Sequence, residues 1–391
     1  MIGGVILAAG YSSRMGEFKP LLPVAGVPAL KRCADALTAA GAEAAAVTGH
    51  RREELSPLLK SWGVSEIVNP DYAQGMFTSV LVGVRHFAEK GAKAILLLPC
   101  DCAAVPKEAV RQLIACAGDR GEYALPTYKG KNGHPLFIPR RYFDEILSFG
   151  GPGGLKGARS LHEDSLLRLD MPWQGTVLDM DTPEDYAALC AYAEDDGLAA
   201  LAGGRTFWLL RHGATELHSG KVVMGRYDAR LSDLGRAQME ALGRRLGAEK
   251  LRAKALYASP LRRARDSAEL VDRCLGLPIR EEEGFAEISL GAWDGMLIED
   301  VKKRWPREYA RRGEYLMSYR FDEGSESFYM VQERVRRALV KLLKADDSPD
   351  ILILSHAGVI KCLWGMLQGR DIDWAFPLCR PDKGEMLVLK A

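Results

Sequence analysis

No apolar run in this chain approaches the roughly 20 residues that a membrane-spanning helix needs. The hydrophobic start, MIGGVILAAG, is too short for the core of a secretory leader, has no basic residues ahead of it and runs straight into a Gly/Ser/Arg stretch. Surplus charge is missing too. The 53 lysines and arginines face 52 aspartates and glutamates, which excludes a strong single-sign field directed at nucleic acid or a membrane surface. The eight cysteines, at positions 33, 100, 102, 116, 190, 274, 362 and 379, lack CxxC spacing. That argues against a zinc knuckle and a disulfide framework and fits a reducing compartment, so a cytoplasmic location is expected.

What is present is enough chain for two cores. At 391 residues, 47% of them hydrophobic, the length exceeds that at which a single core usually keeps growing. The small-residue stretch AEDDGLAALAGG, residues 193–204, precedes a new apolar run. The expected division is a first domain over 1–194, a linker over 195–204 and a second domain over 205–391.

In the first part, apolar Val5, Ile6 and Leu7 read as a buried strand followed by a small-residue turn from Ala8 to Gly16. Such a turn lets backbone N–H groups face an anion, and Arg14 and Lys19 add mobile positive charge. Helical patterns over 28–40, 51–61 and 75–90 alternate with strand patterns over 44–47, 66–68 and 94–98. This alternation predicts an open, mainly parallel sheet with ligands at the carboxyl ends of its strands. Asp101 stands at such an end, where a carboxylate can bridge to nucleotide phosphates through Mg²⁺. Asp179 and Asp181 lie just ahead of a helix start marked by Thr182-Pro183, and share one side of the chain if it is extended there. A plainer role for Asp181 is to cap that helix. Cys100 and Cys102, flanking Asp101, read as small packing residues.

The run LAAGYSSRMGEFKPLL (7–22) resembles the signature of the MobA-like nucleotidyltransferases, above all the molybdenum cofactor cytidylyltransferase branch. NPDYAQGMFTSVLVGV (69–84), NGHPLF (132–137), GLKGAR (154–159) and LDMDTPEDY (178–186) follow in that family's order. The resemblance implies a Rossmann-like fold in which Ala8, Ala9, Gly10, Arg14 and Lys19, with Gly75 and Ser79, hold a nucleoside triphosphate. It further implies Mg²⁺ on Asp101, with Asp179 or Asp181 completing the site. Ala9 in place of a glycine resembles the CTP-using rather than the GTP-using branch. One departure is Cys102-Ala103-Ala104, where the family usually has a proline two residues after the aspartate. The implied reaction is attack of a substrate phosphate on the α-phosphorus with loss of pyrophosphate, helped by positioning and charge neutralisation.

In the second part, an apolar run over 205–210 delivers Arg211-His212-Gly213 at its end. Strand patterns over 255–257 and 351–354 likewise deliver Ser259 ahead of Arg263, and Ser355-His356. Helical patterns fill 232–246, 263–274, 325–344 and the run from 359, with broken helix over 299–319. A phosphate monoester resists hydrolysis, so a site for it needs several fixed donors, a nucleophile and an acid for the leaving oxygen. A neutral imidazole, with an ordinary pKa of about 6.5, is such a nucleophile, and two arginines and a second histidine are such donors.

LLRHGATE (209–216), GRYDARLSDLGRAQ (225–238), YASPLRRARDSAEL (257–270), FAEISLGAWDG (285–295) and LILSHAGVIK (352–361) resemble the histidine phosphatase superfamily, with phosphoglycerate mutase among its members. The resemblance implies an α/β fold with His212 as nucleophile, Glu287 as proton donor, and Arg211, Arg263 and His356 as a phosphate clamp, without a cofactor. The compact length after Glu287 resembles the alpha-ribazole phosphatase-like branch. His218 replaces an asparagine that the family often has. The expected protein is therefore a bifunctional enzyme: Mg²⁺-dependent transfer from CTP or GTP to a phosphorylated acceptor such as molybdenum cofactor, with a client molybdoenzyme as a possible partner, plus hydrolysis of a phosphate monoester. Two other readings stay open: a sugar or alditol phosphate as acceptor, or one domain that is catalytically silent and serves as a binding module.

Overall fold

The computed structural model describes every residue except 13–14, 195–196 and 218–220. The chain divides into two compact units, Met1–Glu194 and Asp195–Ala391. The stretch expected as linker carries a short helix, Leu198–Ala202, whose two end residues are buried. Its Leu-Ala-Ala-Leu-Ala run favours helix, and Gly197 and Gly203 bound it.

The strands of the first unit are β1 (Ile2–Leu7), β2 (Pro23–Val24), β3 (Val27–Pro28), β4 (Glu43–Thr48), β5 (Ser65–Val68), β6 (Ala94–Pro99), β7 (Ala124–Tyr128), β8 (Lys131–Asn132), β9 (Leu136–Pro139) and β10 (Leu167–Asp170). The main sheet runs β10-β7-β9-β6-β1-β4-β5, with β8 paired to β7 and a separate β2-β3 hairpin. The β6-β1-β4-β5 strands are parallel, whereas β9 runs antiparallel to both β6 and β7. Alternate residues Val5, Leu7, Val47, Ile95 and Leu97 share one core with Val80, Val84 and Phe87 of helix Met76–Glu89. Close packing there needs glycine: a Cβ on Gly83 would stand 2.5 Å from Val5. The helix expected over 28–40 begins at Ala29, because Pro28 pairs in the hairpin.

The second unit contains β11 (Thr206–Arg211), β12 (Leu256–Ala258), β13 (Ile279–Glu281), β14 (Asp350–Ser355) and β15 (Met386–Lys390), in the order β13-β12-β14-β11-β15. Only β15, on β11, is antiparallel in this sheet. Leu210, Leu256, Leu352 and Leu354 are fully buried against Met239, Leu242, Ala268 and Val271 of helices Asp233–Gly247 and Arg262–Leu275. Burial of each such leucine contributes about 1.5–3 kcal/mol. Ser232 caps the first of these helices by accepting the Gly235 N–H. The long helix expected from 325 begins at Phe328, because Ser327 is its cap while Ser325 closes the preceding turn. No described helix is long and apolar enough to cross a membrane.

Candidate active sites

Strand register builds the first site. Leu7 and Pro99 are partners across β1 and β6, and the Cys100 N–H donates to the Leu7 carbonyl at 3.1 Å. The turn after β1 and the Asp101 loop therefore leave the sheet side by side. Within the turn, Ala8 and Ala9 are buried and bonded to the next strand's end, Ala8 N–H to Val47 and Ala9 carbonyl to His50 N–H. Gly10 has open space where a side chain would be. Arg14 falls outside the described residues.

Lys19 is the charge centre of this site. Its buried ammonium donates to Asp181 Oδ1 at 2.6 Å and to Asp101 Oδ2 at 3.3 Å. Both carboxylates raise its pKa against the opposing effect of burial. Asp181 is not the helix cap: Thr182 takes that role, in a reciprocal capping box with Asp185. The exposed Asp179 is drawn into the same field, its pKa raised by partial desolvation and by Asp101 and Asp181. Among the described residues no three His, Cys, Asp or Glu side chains stand in metal-holding geometry. The donor chemistry nevertheless suits a hard cation, since Asp101 and Asp181 share the Lys19 ammonium and Asp179 lies within their field.

Gly75 has φ +114° at the start of helix Met76–Glu89, a conformation L side chains rarely adopt. Ser79 is buried and accepts from Asn69 Nδ2 at 2.9 Å, so its hydroxyl is engaged inside the fold. Burial pushes the thiols of Cys100 and Cys102 well above their ordinary value, which leaves both as protonated packing groups. His134 escaped the reading of individual site residues, although NGHPLF contains it. Its Nδ1 is buried without a partner, and burial lowers its pKa while Asp101 acts in the opposite sense.

The second site follows the same construction. Arg211 pairs with Ser355 and Ala258 with Leu354, so three neighbouring strands end level. The His212 N–H donates to the Ser355 carbonyl at 3.1 Å, and the rings of His212 and His356 are 5.1 Å apart. Gly213 passes so close to Gly235 that an added Cβ would meet its carbonyl at 2.4 Å. His212 Nδ1 lies 2.8 Å from the Gly213 carbonyl and so carries the proton, which leaves Nε2 as a lone pair. Burial, then the Arg263 and Arg211 charges, hold its pKa well below the ordinary histidine value. The Gly213 carbonyl opposes that shift.

Two buried donors here have no partner: Arg211 Nε and His356 Nδ1. His356 Nε2 is 2.6 Å from Ser259 Oγ, which accepts the Leu261 N–H at 3.3 Å; with the Ser259 hydroxyl as donor to Nε2, the ring proton is assigned to Nδ1. Arg263, 1% exposed, spends its two terminal nitrogens on the carbonyls of Tyr227 and Gly225 at 2.7 Å each. Arg211 is anchored through Nη1 to the Pro381 carbonyl at 2.8 Å. Glu287 accepts from Ile288 N–H at 2.9 Å and Gly358 N–H at 3.3 Å, and a Cβ on Gly358 would lie 2.5 Å from its carboxylate. Arg334 clamps the Glu287 carbonyl from behind while pairing with Glu326. A nucleophilic nitrogen, unpaired buried donors and a carboxyl group thus meet at one strand edge, an arrangement suited to a phosphate dianion.

Two further residues act here: Ser259, which the sequence places at a strand end without a role, and Lys383, which it does not single out. Ser259 orients His356, and Lys383 lies close enough to His212 for its charge to bear on the ring. Ser259 lies in a motif the sequence shows; Lys383 lies in none. His218 falls outside the described residues.

These geometries belong to enzymes that handle phosphate esters. Residues 207–385 match the histidine phosphatase superfamily (branch 1), and residues 4–169 match the MobA-like NTP transferase domain. A phosphoserine phosphatase 1 of Hydrogenobacter thermophilus is 29% identical over 43% of this chain and 79% of its own. A glucosyl-3-phosphoglycerate phosphatase of Mycolicibacterium vanbaalenii is 32% identical over 43% of this chain and 76% of its own. The solved structure of the alpha-ribazole phosphatase from Shigella flexneri is 24% identical, with a TM-score of 0.44, covering 47% of this chain and 89% of that one. The chain belongs to the histidine phosphatase superfamily, with a MobA-like NTP transferase domain ahead of that region.

Proposed function

We propose that the second unit hydrolyses phosphate monoesters through a phosphohistidine at His212. The observation that carries this reading is the pair of buried, unpartnered nitrogens, Arg211 Nε and His356 Nδ1, on residues next to and 5.1 Å ring-to-ring from His212, whose own Nε2 carries no proton. His212 Nε2 attacks phosphorus, the ester P–O bond breaks, and Glu287 gives its proton to the departing oxygen. Water then attacks the phosphohistidine, Glu287 takes the proton, and His212 is restored. Arg211, Arg263 and His356 hold the phosphoryl oxygens throughout. The test is acid-labile ³²P labelling together with p-nitrophenyl phosphate turnover. Labelling and turnover should both vanish in His212→Ala, whereas label retained in that variant removes the mechanism.

The first unit, in the same reading, transfers a nucleotidyl group from CTP, or from GTP, to a phosphorylated acceptor. Molybdenum cofactor is the acceptor favoured by resemblance. Asp101, with Asp179 or Asp181, would hold Mg²⁺, which supplies charge neutralisation on the triphosphate. The turn at Ala8, Ala9 and Gly10 would take the phosphates, and Lys19, the bridge between Asp101 and Asp181, is the observation behind this assignment. An acceptor phosphate oxygen attacks the α-phosphorus and the bond to pyrophosphate breaks. Pyrophosphate release measured with CTP, GTP and ATP, with and without molybdenum cofactor, tests it. Release with CTP that disappears in Asp101→Ala supports the reading, and release with a sugar phosphate alone would replace the acceptor.

A further inference from the structure

The segment between the last two elements of the second unit is strapped across the nucleophile. Arg211 Nη1 donates to Pro381, the Gly384 N–H donates to the His212 carbonyl at 3.1 Å, and the Arg211 N–H donates to Glu385 at 2.9 Å. Lys383 sits inside this strap. Lys383 and, from helix Ala357–Leu367, Lys361 both lie in the field of Arg211, and they differ in one respect. Lys361 donates to the Phe376 carbonyl at 2.6 Å and lies 3.8 Å from the centre of that ring. Lys383 has no hydrogen-bond or ion-pair partner among the described residues, although it is only partly exposed.

Charge balance then says what is missing. Arg211 and Arg263 together match the two negative charges of a phosphate monoester, and His212 is neutral. The carboxylate other than Glu287 that bears on Arg211, Asp382, is exposed to solvent. Asp228 and Asp294 act on Arg263, but among the described residues no carboxylate offsets the Lys383 ammonium, which burial together with Arg211 and Arg263 disfavours. A half-buried cation beside two guanidinium groups is costly unless an anion arrives with the ligand.

We propose that Lys383 is a specificity-determining residue that binds a second anionic group on the substrate, so that this unit prefers phosphate monoesters carrying a carboxylate or a further phosphate over esters of neutral alcohols. This rests on the phosphatase reading and deepens it. An ester with a neutral tail leaves Lys383 unpaired, whereas one with an anionic tail neutralises it and gains a charge-assisted hydrogen bond.

The experiment compares p-nitrophenyl phosphate, 3-phosphoglycerate and a sugar bisphosphate on the full chain and on Lys383→Gln and Lys383→Arg. Lys383→Gln should lose on the order of tenfold in kcat/KM, mainly through KM, on the anionic-tailed esters, and far less on p-nitrophenyl phosphate. Lys383→Arg should restore most of the loss. A loss confined to 3-phosphoglycerate or to the bisphosphate identifies the second group as carboxylate or phosphate. An equal loss on all three esters would assign Lys383 to the transferred phosphate and overturn the inference, as would no loss on any. In either case the unsubstituted chain still turns over p-nitrophenyl phosphate through His212, so the inference can fail alone. Absence of turnover on every ester would overturn both readings together.

Discussion

The two sites share a construction and differ in what they leave unpaired. Each lies where adjacent parallel strands end level, β1 with β6 in one unit and β11 with β12 and β14 in the other. In the first, the main cation is already spoken for, because Lys19 bridges Asp101 and Asp181. In the second, Arg211 Nε and His356 Nδ1 are buried with nothing to hold. A site that satisfies its own charges must exchange partners when a ligand arrives, whereas one with orphaned donors is already arranged for an anion. The contrast predicts that phosphate or vanadate binds the second unit without rearrangement. Nucleotide binding to the first should redistribute Lys19 between its carboxylates and the triphosphate.

The largest effect that sharpens this comparison is removal of the nucleophile: His212→Ala should lower phosphatase kcat by about 10⁴-fold or more, measured on p-nitrophenyl phosphate. Next, Glu287→Gln should cost about 10²–10⁴-fold, and least on an ester whose leaving group needs no proton. A uniform loss across leaving groups would deny Glu287 the role of acid. Lys19→Ala should reduce pyrophosphate release by about 10²–10³-fold while leaving phosphatase activity intact. Equal activity in that variant would break the contrast, because Lys19 would then be only a structural ion pair.

Stability against pH probes the other side. His212 and His356 stay neutral in the fold to well below the ordinary histidine value, chiefly through burial, with Arg263 and Arg211 adding to it. The unfolded chain takes up those protons near pH 6.5, so stability is kept above that pH and lost below it, by about 1.4 kcal/mol per pH unit for each histidine. Asp294, pushed up to about 6 by burial, works in the opposite sense below that pH. The difference between the wild type and a His212→Ala/His356→Ala double variant in urea titrations at pH 7.0 and 5.5 isolates the histidines, and the variant should show the shallower loss. The smallest effect is Thr182→Ala, which removes the capping box and should cost about 1 kcal/mol in the first unit.

Much of this was legible in the sequence because strand ends are. Apolar runs stopping at Ala8, Asp101, His212 and His356 locate both sites before any contact is known, since parallel sheets present ligands at carboxyl ends. Helix starts were legible where a hydroxyl cap stands ahead of an apolar period, as at Ser232 and Thr182. What escaped depends on which partner a polar group chooses. Asp181 had two plausible tasks until Thr182 took the cap and left it to Lys19. Ser79 lies in a resembling motif, yet its hydroxyl serves Asn69. Lys383 carries no local pattern, because its position is set by β15 folding back on β11 from far along the chain.

The backbone of His212 also has a consequence for motion. Its N–H is a rung to Ser355 and its carbonyl a rung to Gly384, so the nucleophile's peptide groups are held by neighbouring segments on either side. Its amide should exchange with deuterium as slowly as the central strands, on the timescale of global opening rather than of loop fluctuation. Chemical competence and integrity of the sheet should then vanish at the same denaturant concentration, with no softened but still folded state in which the nucleophile has come loose.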